Sequence, residues 1–322
     1  MDPAVTEPCI VLISERSDLA ADLLVVALRA RGRPFVRWNR DEFPARAAVS
    51  WSSDGSGHLY LGDQAWPLKN IASAWCRVST DAAVAPGPYP ADVLSFARRE
   101  CDRALESLWG VTRWFWVNHP FAAKRATNKL LQLQLAGDLG FRIPRTLVTT
   151  HVASARAFAE QFPSTVAKTL SGGWADVEGT PYALFTRKVS SDELTDDSLG
   201  GCPCILQERM PRKLDLRVTV VGSQLFAAAI RQAEPDDEVD WRAADRHRLA
   251  YESYELPDGL RTLCFRLLRA LDLQYGCFDF IVTPAGDTVF LEINAGGQWG
   301  WIEEALGYGI TSSLVDLLVN RS

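Results

Sequence analysis

The chain has 322 residues, of which 47% are apolar and 23% are charged, and its formal net charge at pH 7 is -6. This composition is ordinary for a soluble globular protein, and the length is enough for two or three packed units. The acidic balance argues against a nucleic-acid-binding protein and against a polybasic membrane-surface protein, because both depend on clustered positive charge.

The first third of the sequence predicts an α/β domain, which we place at residues 1–119. An apolar run at 9–15 predicts a buried parallel strand, a helical pattern covers 18–32, and a second strand is expected at 35–39. Residues 48–66 predict a hairpin with a turn at Asp54 and Gly55. Another strand is expected at 73–79, followed by a long helix from Asp92 to Leu108.

The middle of the sequence, residues 120–203, predicts a second unit. A continuous helix is expected over 122–141, where Gly140 provides a stop signal. A strand at 143–150, a short helix at 154–162 and a strand that enters a glycine turn at 164–174 follow.

The last segment, residues 204–322, predicts mostly strands. Three of them are expected at 204–210, 214–222 and 224–232, followed by an amphipathic helix at 259–273. A hairpin over 276–294 and a closing helix at 312–320 complete the chain. The order of elements predicts a mixed α/β (α+β) fold.

Targeting signals and cysteine spacing bear on the compartment. The start of the chain lacks a basic stretch followed by an apolar run, and no apolar run is long enough for a membrane-spanning helix. The seven cysteines are scattered and include no CxxC pair, which indicates free thiols in a reducing compartment. We therefore expect a cytoplasmic protein without a membrane-embedded part.

The last hairpin carries three oxygen donors on strands that are otherwise apolar. Glu292 and Asn294 are two residues apart, so they lie on one face of their strand. If Thr283 pairs with Thr288, Asp279 lies directly opposite Glu292, whereas a slip of one residue would send the acids to opposite faces. Two adjacent carboxylates repel each other, and a divalent cation removes that conflict. Oxygen donors alone suit Mg²⁺ or Mn²⁺, while the alternative is a set of exposed acids on a sheet edge.

Cations and polar residues upstream suggest a partner for such a metal. Lys168 stands on an apolar strand, where a lysine needs an anionic partner. The loop that follows it, Ser171, Gly172 and Gly173, lets backbone N–H groups approach phosphate oxygens, although its spacing is not that of a P-loop. Gln207 and Glu208 interrupt another apolar strand, and Glu208 is equally well explained by a solvent-facing edge.

Three more cations are ambiguous when each is taken alone. Lys129 on its predicted helix fits an ordinary solvated lysine. Arg217 shares a strand face with Asp215, which fits either an anion site or a structural ion pair. Arg242 is similarly ambiguous.

Taken in order, these segments resemble the ATP-grasp superfamily. The segments that carry the resemblance are NKLLQL, VAKTLSGG, LQERM, DLRVTVVG, GCFDFIV and FLEIN. More narrowly, residues 114–303 are similar to the microviridin-type peptide ligases, also called graspetide synthetases, through WVNHP, DWR, YESYELP and DFIVTPAGDTVFLEINAGGQWGWIE. The segment SAWCRVS matches the family's N-terminal α/β pre-ATP-grasp domain.

Two departures from the family pattern bear on how a substrate peptide would sit. The family has Asn-Pro-Asn-Gly where this chain has Asn294, Ala295, Gly296 and Gly297. The N-terminal segment of the family shows a Trp-Arg-Arg run, whereas here a cysteine separates Trp75 from Arg77. Neither departure changes a residue of the expected metal site.

The resemblance implies a role for each candidate residue. It implies phosphate binding by Lys129, Lys168 and the glycine loop after Lys168. It implies binding of adenine and ribose by a further set: Gln207, Glu208, Met210 and Leu291. Arg217, assisted by Arg242, would stabilise the transferring phosphoryl group, and Mg²⁺ would be bound by Asp279, Glu292 and Asn294.

The resemblance also implies a reaction and a partner. ATP would convert an Asp or Glu side chain of a ribosomally made precursor peptide, composed of leader and core, into an acyl phosphate. A Ser or Thr hydroxyl, or a Lys amine, of the same peptide would displace phosphate and close a side-chain ester or amide macrocycle. Splitting one difficult step into two requires no enzymatic nucleophile, which agrees with the lack of a GxSxG motif. The family implies a homodimer as well, although the sequence shows no interface stripe that would support one.

Two alternatives stay open at this point. The chain could be a RimK-like ligase that adds amino acids to a protein tail or joins small peptides, which consumption of free amino acids would reveal. It could also be a non-catalytic ATP-binding module with a regulatory role, which peptide-dependent ATP turnover would exclude.

Overall fold

The computed structural model describes residues 8–77, 84, 88–171, 174–177, 180–184, 186–199, 201–232 and 249–321. The helices are α1 Leu19–Ala30, α2 Ala91–Val111, α3 Pro120–Ala126, α4 Lys129–Leu139, α5 Val152–Gln161, α6 Asp196–Leu199, α7 Asp258–Ala270, α8 Gly300–Leu306 and α9 Ile310–Asn320. The strands are β1 Cys9–Ser14, β2 Phe35–Asn39, β3 Ala47–Trp51, β4 Gly57–Leu61, β5 Gln64–Pro67, β6 Ile71–Cys76, β7 Phe115–Val117, β8 Thr146–Thr149, β9 Thr165–Lys168, β10 Trp174–Val177, β11 Thr180–Ala183, β12 Arg187–Val189, β13 Cys204–Glu208, β14 Leu214–Val221, β15 Gln224–Gln232, β16 Leu249–Ser253, β17 Tyr275–Val282 and β18 Thr288–Asn294.

The N-terminal sheet is parallel, with the strand order β2-β1-β6-β7. Every residue of β1 is buried, as its uninterrupted apolar run predicts. Helix α1 begins where the Asp18 side chain accepts a hydrogen bond from the backbone N–H of Ala20. The predicted β-α-β opening is confirmed.

The hairpin predicted at 48–66 is a three-stranded antiparallel sheet of β3, β4 and β5. Its first turn lies at Asp54 and Gly55, as expected. A second turn follows at Gly62, which has a φ of +57°, and it starts a strand that the prediction did not separate.

The prediction of one helix over 122–141 is wrong in one respect, because the structure has two helices there, α3 and α4. Asn128 caps α4, since its side chain accepts a hydrogen bond from the backbone N–H of Leu131 at 3.1 Å. The helix ends at Gly140 with a φ of +100°, as predicted. The break makes Lys129 the first residue of α4 rather than an interior helix residue.

The central sheet is antiparallel, with the order β12-β9-β13-β8. Strand β13 comes from the start of the predicted third segment, yet it pairs with β8 and β9 of the second. Helix α5 packs against this sheet through Ala155 and Ala159. The limits of three domains at 1–119, 120–203 and 204–322 stay a prediction.

The C-terminal sheet, β16-β15-β14-β17-β18, is antiparallel and has an apolar core on each face. On one face, Phe278, Phe280 and Phe290 pack with residues of α4 and α7 in the largest apolar core. On the other, Tyr275 and Cys277 share a core with residues of β1, α1 and α9. Burying each phenylalanine stabilises the fold by about 1.5–3 kcal/mol, so this alternation of side chains fixes which face of β17 carries Asp279.

The mixed architecture of helices and sheets predicted from the sequence is confirmed. None of the helices in the described ranges combines the length and the apolar composition needed to cross a membrane.

Candidate active site

The β17–β18 hairpin places Asp279 opposite Glu292, as the sequence predicts. The predicted pairing of Thr283 with Thr288 is wrong, because Thr288 pairs with Val282. The register shifts between Asp279 and Phe280, where β18 accommodates one extra residue, Leu291. This bulge restores the register in which both carboxylates lie on the same face.

The side chains expected to bind a metal converge on that face. The amide nitrogen of Asn294 donates to Asp279 Oδ2 at 3.1 Å and to Glu292 Oε1 at 3.2 Å. Arg217 lies on β14, directly opposite Asp279 of β17. Its Nη1 donates to both carboxylate oxygens of Asp279, at 2.8 and 2.9 Å. Lys129, at the start of α4, forms an ion pair with Glu292. We call these five residues the carboxylate cluster.

The charges of the carboxylate cluster balance, with two carboxylates facing two cations. The Arg217 side chain is only 8% exposed and that of Asp279 is 16% exposed. Burial is the largest influence on the pKa of Arg217 and lowers it, but the Asp279 carboxylate together with Cys277 and Tyr275 raises it by more, so the pKa is raised and the guanidinium stays charged. Arg217 pairs with Asp279 and not with Asp215, the alternative that the sequence left open. Asp215 Oδ2 instead lies 3.3 Å from Arg212 Nε.

The donors of the carboxylate cluster fit a hard divalent cation. Among the described residues, no group of three His, Cys, Asp or Glu side chains could hold a metal ion, and the third oxygen donor beside the two carboxylates is the Asn294 side chain. Two carboxylates held on one face by Lys129 and Arg217 form a site that already requires positive charge. Rotation of the Asn294 amide would present its oxygen, and few protein ligands leave room for phosphates.

A second group of candidate residues lies on the central sheet. Lys168 donates to Gln207 Oε1 at 2.6 Å, and the Gln207 amide nitrogen donates to the Thr146 hydroxyl at 2.9 Å. Gln207 is buried, and Glu208 is half-buried at the end of β13. Ser171 is exposed. Two further predicted contacts, the pair Gly172 and Gly173 and the side chain of Arg242, lie outside the described residues.

A small apolar cluster connects the end of β13 in the central sheet with the β17–β18 hairpin. Met210, which follows β13, packs with Ile281, Val289 and the bulge residue Leu291. Met210 and Leu291 are both predicted to contact the nucleotide, and the structure brings them together. An apolar cluster of this kind is suited to contact with a purine ring.

One side chain that the sequence did not single out for the site is Arg77. Its Nε donates to the carbonyl of Gly296 at 2.7 Å, and its Nη1 donates to Asp18 Oδ1 at 2.6 Å. The carbonyl of Gln298 accepts from Arg217 Nη2 at 3.2 Å. Loop 295–298, directly after β18, is therefore held between Arg77, which follows β6, and Arg217 of the carboxylate cluster.

Gly297 lies so close to the carboxylate cluster that no side chain fits. A Cβ at this position would lie 2.5 Å from Cys277 Cβ and 2.8 Å from Arg217 Nη2. We expect Gly297→Ala to displace Arg217 or the loop, to lower stability by about 1–3 kcal/mol and to reduce turnover at least about tenfold. Thermal unfolding and steady-state rates test this.

The neighbouring Gly296→Ala is the matched control. Its added Cβ would meet Arg77 Cγ at 3.5 Å, an ordinary contact. Equal effects of the two substitutions would show that the close approach at Gly297 is not the cause.

A family model matches the larger part of the chain. The model of the RimK-like ATP-grasp domain matches residues 126–318. No curated protein sequence matches the chain significantly.

Solved structures resemble the chain over nearly its whole length. The macrocyclase MdnC from Microcystis aeruginosa MRC, bound with precursor peptide MdnA, has a TM-score of 0.86 and 28% identity, covering 98% of this chain and 100% of that one. A Chryseobacterium gregarium RiPP-associated ATP-grasp ligase, in complex with ADP and a leader and core peptide, has a TM-score of 0.86 and 26% identity, covering 98% and 97%. Macrocyclase MdnB from Microcystis aeruginosa MRC has a TM-score of 0.81 and 29% identity, covering 98% and 99%. The predicted ATP-grasp fold is confirmed.

Proposed function

Because the chain belongs to the RimK-like ATP-grasp family, we propose that it is an ATP-dependent ligase that closes side-chain ester or amide macrocycles in a ribosomally made precursor peptide. The observation that carries this proposal is the carboxylate cluster, which stands on a fold shared end to end with macrocyclases. The partner is a precursor peptide with a leader and a core.

In the first step, an oxygen of an Asp or Glu side chain of the peptide attacks the γ-phosphorus of ATP. The bond to the β–γ bridging oxygen breaks, ADP leaves, and an acyl phosphate forms. Lys129 and Lys168 hold the phosphates, and Arg217 stabilises the charge on the transferring group. Gln207, Glu208, Met210 and Leu291 hold adenine and ribose. 

The metal ligands are Asp279, Glu292 and Asn294, with Mg²⁺ as the preferred ion and Mn²⁺ as its substitute. When bound, the ion would neutralise phosphate charge. With the two carboxylates balanced by a divalent cation, the charges of Lys129 and Arg217 would be available to anionic phosphates.

In the second step, a hydroxyl or amine of the same peptide attacks the acyl carbon. Phosphate leaves, the nucleophile loses its proton, and each link removes the elements of one water from the peptide. Arg217 continues to stabilise the acyl phosphate, and Arg242 assists it. Loop 295–298 borders this site, and its departure from the family sequence affects how the peptide sits.

A second candidate function follows from the family description itself, which refers to RimK-like domains. Such a ligase would join free amino acids or small peptides instead of closing rings. The likeness to two macrocyclases, at 28% and 29% identity over 98% of this chain, favours ring closure.

ADP release by the purified enzyme separates these functions. We expect ADP to form with a precursor peptide, Mg²⁺ and ATP, and not with mixtures of free amino acids. ADP formation that depends on free amino acids would favour the RimK-like ligase. ATP binding with no turnover under any condition would favour a regulatory module.

We expect Lys168→Ala to weaken ATP binding about 10-fold to 100-fold, because a charge-assisted hydrogen bond contributes about 1.5–3 kcal/mol. Titration of the purified protein with ATP or ADP measures the nucleotide affinity. Lys188→Ala is the control, since Lys188 is an exposed lysine on β12, beside β9 in the same sheet. An unchanged nucleotide affinity in Lys168→Ala would contradict the phosphate role.

A further inference from the structure

The side chain of Gln132 is bound to the backbone of the strand that carries the proposed metal ligands. Gln132 is only 2% exposed and lies three residues after Lys129 on α4. Its Oε1 accepts from the N–H of Ile293 at 2.9 Å, and its Nε2 donates to the carbonyl of Ile293 at 2.9 Å. Nε2 also donates to the carbonyl of Ala126 at 2.5 Å.

The Gln132 amide supplies the hydrogen bonds that a neighbouring strand would otherwise make with Ile293. β18 is the last strand of its sheet in the part of the chain that the structure describes. An isolated bridge to Arg142 lies along its outer side at Val289, but that bridge does not reach Ile293. The amide of Gln132 pairs with both polar groups of Ile293 as a strand would. Ile293 lies between Glu292 and Asn294, so its backbone sets the direction of both side chains.

A second buried amide holds the end of the same strand. Asn118 is 2% exposed, and its Oδ1 accepts from the N–H groups of Gln274 at 2.7 Å and Tyr275 at 3.0 Å. Its Nδ2 donates to the carbonyls of Tyr275 at 2.8 Å and Ala295 at 2.9 Å. Asn118 therefore connects the start of β17 with the residue after Asn294.

We propose that Gln132 and Asn118 are positioning residues that set the distances between Asp279, Glu292 and Asn294. They fix the backbone on both sides of Asn294. The inference rests on the proposed metal site. A cation site requires ligand distances within a few tenths of an ångström, so a small shift of β18 weakens it. The first turn of α4 also connects this support to Lys129.

The polarity of Gln132 argues that it acts on the backbone rather than by packing alone. Leu131, Leu133 and Leu135 beside it are partly buried against the main core. A buried amide costs free energy unless it is hydrogen-bonded, and an apolar residue would fill the same space without that cost. The hydrogen bonds to Ile293 and Ala126 are what the amide provides.

Manganese binding in the presence of ADP tests the proposal directly, because it is measured by electron paramagnetic resonance without turnover. We expect Gln132→Met to weaken Mn²⁺ binding about 10-fold to 100-fold, as loss of a ligand-orienting partner does. ADP affinity without metal is expected to stay unchanged. Gln134→Met is the control, because Gln134 lies exposed on the same helix.

Asn118→Asp is an independent test, since it keeps the acceptor and removes the donors to Tyr275 and Ala295. The same weakening of Mn²⁺ binding is expected. Thermal unfolding establishes that each variant is folded. If Gln132→Met does not fold, the Mn²⁺ affinity of Asn118→Asp decides the question.

Glu292→Gln, measured alongside, separates the two proposals. If Glu292→Gln weakens Mn²⁺ binding and the folded Gln132→Met or Asn118→Asp does not, the positioning role is wrong and the metal site stands. If none of the three variants changes Mn²⁺ binding, the metal site itself is wrong and the positioning role with it.

Discussion

Glu292→Gln is expected to abolish turnover, by at least about a hundredfold, while the protein stays folded. The change removes the charge of a proposed metal ligand and the partner of Lys129, yet it keeps the size of the side chain. Lys129, which loses its partner, is 25% exposed, compared with 8% for Arg217, so losing this ion pair costs less stability than losing the pair of Arg217 with Asp279.

The matched control for this variant lies in the turn of the same hairpin. Asp287 pairs with Arg142, and both side chains are about half exposed. Asp287→Asn should therefore retain the wild-type rate. Product formation and thermal unfolding of both variants test the prediction, and a wild-type rate in Glu292→Gln would contradict the metal assignment.

Asp279→Asn should abolish turnover as well, but it should also lower the stability of the fold more than Glu292→Gln does. Arg217 is 8% exposed and would keep a buried charge without its carboxylate partner. Loss of one partner from a buried pair destabilises a protein by about 3–5 kcal/mol. Glu292→Gln is consequently the cleaner test of the metal site.

Arg217→Ala is expected to lower the rate of chemistry about 10²-fold to 10³-fold and to change ATP affinity much less. Its guanidinium reaches both Asp279 and the loop after β18, which places it at the proposed site of phosphoryl transfer. Arg231→Ala provides a control, because Arg231 lies on the adjacent strand β15 in an exposed ion pair with Glu252.

Single-turnover rates at saturating ATP, together with the affinity for ATP, distinguish the role of Arg217. If ATP affinity collapses and the rate at saturating ATP is normal, Arg217 binds nucleotide and does not act on the transferring group. A thermal unfolding measurement accompanies both variants, since Asp279 loses its partner.

The hairpin acids could be predicted from the sequence because their signal is local. The alternation of Phe278, Asp279 and Phe280, and of Glu292, Ile293 and Asn294, gives each acid its face. The pairing that the turn predicts is off by one residue, and the bulge at Leu291 compensates for it. The bulge at Leu291 could not be predicted, because the apolar residues on both sides of it fit a regular strand as well as an interrupted one. The division of the helix at Asn128 depends on a single cap that competes with a strong helical pattern.

The residues that hold the site together gave no local signal. Arg77 contacts Gly296, 219 residues later, and Gln132 contacts Ile293, 161 residues later. Their partners are backbone carbonyls and N–H groups, which every residue carries, so the sequence cannot specify them. The partner of Arg217 was ambiguous for a related reason, because Asp215 is near in sequence whereas Asp279 is near only in the folded sheet.

The most direct test of the central claim is the intact mass of a precursor peptide encoded beside the gene, after incubation with the enzyme, ATP and Mg²⁺. Ring closure predicts the loss of one water mass for each link, with no residue added. A gain of amino-acid masses, or an unchanged peptide while ATP is consumed, would contradict macrocyclisation.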